Sequence, residues 1–168
     1  MSSKEVNRSM INKKERAQGM VEFALVLPLL LVLMLGIIEA GRLMFIYSSV
    51  NSASREAARY GSAAGEVTSF VKYYQDCVGI KAAATRIGVL AGIEDNNILI
   101  SYDHGPNTTV FQNACPTAND QWVNLGDRII VQVTTTFEPI VPLVNIPPFP
   151  ISSISRRTIL KDVEIVTH

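Results

Sequence analysis

The chain has no charge to spare. Its 168 residues carry 15 Lys and Arg against 15 Asp and Glu, so the formal net charge is zero. Gripping nucleic acid by neutralising phosphates needs a surplus of cations, and no such partner is expected. Histidine is scarce: His104 falls in a loop and His168 at the chain end. Neither stands at ligand spacing, so no metal site is expected. There is no Gly-x-Ser-x-Gly elbow, phosphate-cradling glycine loop or paired-histidine helix, so neither a cofactor nor a catalytic site is expected. Asp103, His104 and Asp120 could be assembled on paper into an acid–base set, but turn chemistry accounts for them more simply. Only 18% of residues are charged, which argues against a disordered or coiled-coil chain. Internal repeats and domain linkers are absent, and the length fits one domain with a short appendage.

What the chain has instead is a long apolar run. Mean hydropathy is +0.22, high for a small domain, and one stretch explains it. From Phe23 to Ile38, 16 consecutive residues lack a polar side chain, with Glu22 and Glu39 as the borders. A membrane-spanning helix needs about 20 apolar residues, and roughly 17 to 25 is the usual range. Leu43, Met44, Phe45 and Ile46 resume the run, so the expected span covers about residues 20–45. Glu39 and Arg42 stand three apart on one helix face, where opposite charges pair. A buried core helix is the competing reading, but the run leaves no polar face for so small a domain. A cleaved secretory signal is another; its apolar region is usually about 7–15 residues and ends at a small-residue site. Here the run is longer, and Glu39 and Arg42 flank the candidate site.

Orientation follows from the flanks. Residues 1–17 hold five basic and two acidic side chains, while Arg42, Arg55 and Arg59 are the basic residues nearest the far side. This favours a cytoplasmic N-terminus and an extracytoplasmic remainder. The zero net charge is thus a sum of unequal parts, since residues 18–168 hold ten basic and thirteen acidic side chains.

Two blocks carry more than hydropathy. The string QGMVEFALVLPLLLVLMLGIIEAGR begins at Gln18, and SREAARYG runs from Ser54 to Gly61. Together, over about residues 16–61, they resemble the TadE-like family of pseudopilins from the tight-adherence branch of type IV pilus systems. The resemblance implies that a prepilin peptidase removes a short basic leader on the cytoplasmic side. In pilin-type signals the glutamate is the fifth mature residue, which puts the cut between Ala17 and Gln18. Alanine there replaces the usual glycine. A cut after Gly19 would restore glycine but leave Glu22 third. The implied role of Glu22 is to neutralise the free α-amine of a neighbouring subunit and so fix one axial stagger. Phe23 belongs to the same docking segment. Pro28 either loosens the helix there by removing a backbone donor or is simply tolerated, as prolines in membrane helices are.

Beyond the membrane the helix is expected to continue. Leu43, Ile46, Val50, Ala53, Ala57 and Tyr60 form one stripe at helical spacing, and Gly61 supplies a stop. Arg55, Glu56 and Arg59 read as a solvated or ion-paired face. Cys77, Ile80, Ala84, Ile87 and Ala91 predict a second helix that ends at Gly92. Strand patterns follow over Asn97–Asp103, Arg128–Glu138 and, most weakly, Arg157–Val166. Pro139–Pro150 holds five of the eight prolines and is expected to be a loop. The expected class is α+β: a long N-terminal helix, a second helix and an antiparallel sheet of about three strands. Cys77 and Cys115 are the two cysteines; outside the cytoplasm they are expected to form a disulfide, with two buried thiols as the alternative.

The chain therefore divides into a basic leader (1–17), an N-terminal helix (18–61) and an extracytoplasmic pilin-like domain (62–168). It reads as a non-enzymatic minor pilin or pseudopilin, single-pass in a bacterial cytoplasmic membrane and able to enter a surface pilus that serves cell adhesion. Its implied partners are the prepilin peptidase, the major pilin and other pseudopilins, and the inner-membrane assembly platform. A membrane-anchored extracytoplasmic sensor or ligand-binding domain is the rival reading, and an anchored hydrolase the second.

Overall fold

The computed structural model describes residues 3–112, 115–116, 122–141 and 146–160, with side chains from Gln18 onward apart from that of Gln112. One helix, α1, runs Ser3–Gly61 over 59 residues. It starts upstream of the segment expected from hydropathy, because residues 3–17 contain neither glycine nor proline and consist largely of tolerable helix formers. The chain forms two compact units, Met1–Arg42 with Pro139–Ile146, and Leu43–Glu138 with Pro147–His168.

In the first unit every side chain from Gln18 to Ile38 is exposed. Among the described residues one helix, Gln18–Gly61, is long and apolar enough to cross a membrane, and none of its most apolar window is buried. That combination fits a lipid-facing anchor and does not fit a core helix, which would be covered by protein.

The second unit contains the folded core. After α1 come a short hairpin, β1 (Glu66–Thr68) and β2 (Val71–Lys72), then helix α2 (Cys77–Gly88). Strands β3 (Ile98–Asp103), β4 (Val110–Gln112), β5 (Arg128–Phe137) and β6 (Phe149–Thr158) follow. These last four make one antiparallel sheet in the order β4-β3-β5-β6. The architecture is α+β, with β4 and the hairpin added to the three longer strands.

Periodicity decides what is buried. From α1, Ile46, Val50, Ala53, Ala57 and Ala58 enter the core, with Leu43 and Tyr60 packed at its margin. They meet Ile80 and Ala84 of α2 and the sheet face formed by Ile98, Ile100, Tyr102, Ile129, Val131, Val133, Phe137 and Ile151. Each fully buried Val or Ile contributes about 1.5–3 kcal/mol. The run of alanines lets the backbone of α1 lie close to its neighbours. Gly61 extends that closeness: a Cβ there would sit 2.4 Å from Ile129 Cδ1.

Two expectations need correction. Ile87 is 42% exposed rather than part of the α2 stripe. The α-helix stops at Gly88 and tightens into a 3-10 turn over Val89–Ala91, ended by Gly92 at φ +68°. Gly88 takes the inward position, with no room for a side chain against Ile93. Among the described residues the last strand is Phe149–Thr158, which meets the expected Arg157–Val166 only at Arg157 and Thr158; residues 161–166 lie outside those described. Phe149 and Ile151 begin an alternation that Ser153 and Ser155 interrupt, so the strand lacked its apolar signature. Those serines fall on the helix-facing side because Ser153 pairs with Val133 and Ser155 with Val131. Ser153 is satisfied by Ser54 Oγ at 3.0 Å and donates to Asn51 Oδ1 at 3.3 Å. A polar contact replaces an apolar one there.

Candidate functional site

The residues singled out at the start of the apolar run lie on one uninterrupted helical segment. Gln18 Nε2 donates to Glu22 Oε1 at 3.2 Å, one turn along the helix. Glu22 is exposed, and Met20 and Phe23 beside it are 75% and 63% exposed. A carboxylate is thus displayed at the edge of an apolar surface, able to pair with a cation brought by another molecule. The side chain of Ala17 lies outside the described residues. Pro28 is inside α1 without ending it; having no N–H, it leaves the Ala24 carbonyl without its usual helical donor.

At the other border Glu39 has two partners. Its Oε1 accepts from Arg42 Nη2 at 3.2 Å and from the backbone N–H of Ile140, also at 3.2 Å. The pair with Arg42 has the three-residue spacing expected from the sequence. Ile140 as a partner was not legible, since about a hundred residues separate it from Glu39.

The second block has a tying function. Glu56 accepts from Arg59 at 2.8 Å and lies 3.9 Å from Arg86 of α2, while Arg55 is exposed. Tyr60 donates to Asp76 Oδ2 at 2.7 Å. Burial, reinforced by Asp76, pushes the Tyr60 phenol up to about 12. Asp76 also caps α2, its Oδ1 accepting from Gly79 N–H at 2.9 Å. An Asp three residues before Gly79 was the available sign of this cap.

Cys77, the first residue of α2, is joined to Cys115, with their Cα atoms 6.0 Å apart. Nearby, Tyr102 donates to the Tyr74 carbonyl at 2.6 Å and meets Trp122 edge-on. Burial raises the Tyr102 phenol well above its ordinary value.

The segment weighed as an acid–base set is held by one ion pair and by hydrogen bonds. Asp103 is 2% exposed and takes two hydrogen bonds from Arg128, at 2.7 and 2.6 Å. Arg128 also donates to the Gly105 carbonyl at 2.8 Å. His104 Nδ1 lies 3.0 Å from Asp127 Oδ1, and its ring stacks on Phe111. Asp120 lies outside the described residues. Among the described residues no group of three or more His, Cys, Asp or Glu could hold a metal ion.

With the exposed apolar segment, its bordering Glu22 and the tied second block located, the comparison with known families can be placed on residues 17–59. They match the TadE-like protein family. The match covers the whole first block and Ser54–Arg59 of the second, and stops two residues short of the end of α1. It suggests a pilin-like protein associated with a tight-adherence pilus and working with other pilins. The TadE-like segment contains Gln18, Glu22, Phe23, Pro28, Glu39 and Glu56, whereas the sheet and α2 lie outside it. Comparison with curated proteins and with solved structures gives no match.

Proposed function

We propose that this chain is a minor pilin or pseudopilin, a structural subunit or initiator of a tight-adherence pilus. One observation carries the reading: a single helix, α1, joins an exposed apolar segment that begins at Glu22 to a stripe buried in a folded domain. Such a helix can reside in a bilayer before assembly and pack against sister helices afterwards. Its side chains need not change, because both surroundings are apolar. In this reading the N-terminus faces the cytoplasm and the domain lies outside the membrane, the orientation that the charge asymmetry of the flanks favours.

In this reading a prepilin peptidase cuts between Ala17 and Gln18. The new α-amine lies at the membrane surface, where a neighbouring subunit's Glu22 neutralises it. The role in this reading is structural rather than catalytic, and two charged pairs of the domain link elements: Asp103 of β3 with Arg128 of β5, and Glu56 of α1 with Arg86 of α2.

N-terminal mass analysis of the membrane-extracted protein tests the reading, with prepilin peptidase present and absent. A chain beginning at Gln18 only when the peptidase is present is the expected result. An unprocessed chain under both conditions would overturn it and favour an anchored sensor, which needs no cleavage.

A further inference from the structure

The β5–β6 connection is the least polar segment outside the helix. No charged residue occurs between Glu138 and Arg156, and Asn145 is the one polar side chain in residues 139–150. Prolines at 139, 142, 147, 148 and 150 remove five backbone N–H donors from this stretch. Loops normally run through water and are polar for that reason. Here Ile140 is 70% exposed and Ile146 is 49% exposed.

Its place in the fold explains the composition. Pro139–Ile146 forms one compact unit with Met1–Arg42, the part of α1 that contains the apolar run. The contact is specific: Ile140 donates its backbone N–H to Glu39 at 3.2 Å, and Glu39 is the residue at which the run from Phe23 ends. The loop is therefore fastened where a lipid-facing surface gives way to a charged pair. A backbone entering that layer is penalised for each N–H left without a partner. Here prolines have removed several of these donors, and Glu39 accepts that of Ile140.

We propose that Ile140 and Ile146 of this connection make a second membrane contact, inserted in the headgroup–acyl boundary beside α1. The proposal rests on the reading of α1 as a membrane span. Its occupant is lipid because Ile140 is bonded to Glu39, where the apolar run read as the span ends, and because the sequence between Glu138 and Arg156 has no charge with which to select a protein partner. Exposed apolar side chains at this depth strengthen attachment in proportion to the area they bury.

The test uses the full chain in phosphatidylcholine vesicles. Cys77 and Cys115 are joined, so an added thiol can be labelled alone with an environment-sensitive fluorophore. Labels are introduced through Ile140→Cys, Ile146→Cys, Leu30→Cys within the span and Asn96→Cys as an exposed control. Lipids bearing a spin label near the headgroup should quench the fluorophores at 140 and 146 at least about twofold more than at 96. Lipids labelled deep in the acyl chain should quench the one at 30. Quenching at 30 without excess quenching at 140 and 146 overturns the loop proposal and leaves the span standing. Loss of quenching at all three overturns both. Shielding of 140 from aqueous iodide without lipid quenching identifies a protein contact and likewise rejects lipid as the occupant.

Discussion

Tyr60, one residue from the end of α1, donates its phenolic hydrogen to Asp76 at 2.7 Å, and the same carboxylate caps α2. One acidic side chain thus serves two helices, linking the final turn of α1 to the first turn of α2. Gly79 is what makes this fit: a Cβ there would lie 2.1 Å from Asp76 Oδ2 and 2.4 Å from the Tyr60 hydroxyl.

Removing the hydroxyl should therefore loosen a joint rather than a single contact. Tyr60→Phe is expected to lower stability by about 1–2 kcal/mol, and Gly79→Ala to do so by displacing both partners. The phenol's folded value of about 12 exceeds its ordinary 10.0. Its contribution is complete below the ordinary value and fades as pH rises through the folded one. The wild-type chain in detergent should lose stability across that alkaline window, and Tyr60→Phe should lose less. Unfolding followed by Trp122 fluorescence measures both.

Much of this was legible in the sequence because it rests on periodicity. The stripe from Ile46 to Tyr60 and the alternation of Ile129, Val131 and Val133 each predict a face, and burial follows the face. The Glu39–Arg42 pair was legible from spacing alone. What escaped were elements whose signal is a partner far away in the chain. The β6 strand turns Ser153 inward because Ser54 and Asn51 wait there, and no local pattern announces that. Ile140 reaches Glu39, and His104 reaches Asp127, by the same kind of long-range closure. The residues proposed for docking, Glu22, Phe23 and Pro28, fall within one short motif because they occupy consecutive turns of one helix.

The Asp103–Arg128 pair gives a prediction on the acid side. The Arg128 guanidinium holds the Asp103 carboxyl below its ordinary 3.8 against the opposing effect of burial, with help from the Gly105 N–H. Stability from this depressed group is complete above its ordinary value and is lost as pH falls through the lower, folded one. Asp103→Asn leaves the part-buried guanidinium without its counter-charge and should cost about 3 kcal/mol at neutral pH. The variant's stability should then fall less steeply than that of the wild type below about pH 4. Denaturant titrations at several pH values would reveal a parallel acid limb if this assignment were wrong.

Joining Cys77 to Cys115 closes a loop with a sequence separation of 38 that includes α2 and β3. Loss of the crosslink should lower stability by about 2–4 kcal/mol, chiefly by enlarging the unfolded ensemble. Cys77→Ser with Cys115→Ser should behave like the reduced wild type in thermal unfolding. Reductant should then have no further effect on the double variant. An equal response to reductant in both proteins would show that the crosslink is not the source of the difference.

Glu22 tests the assembly reading most directly. Its carboxylate is exposed and held by Gln18 within the same helix, so substitution should leave the folded domain intact. Glu22→Lys replaces attraction for a neighbour's α-amine with repulsion and should abolish filament incorporation. Glu22→Gln should lower it strongly while leaving thermal unfolding of the detergent-solubilised protein unchanged. Glu22→Asp keeps the charge on a shorter arm and should fall between Glu22→Gln and the wild type. The readout is the amount of subunit in sheared surface filaments, compared with the amount in membranes and with the fraction processed at Gln18. Normal incorporation of Glu22→Lys, with cleavage intact, would mean that axial register is set elsewhere on α1.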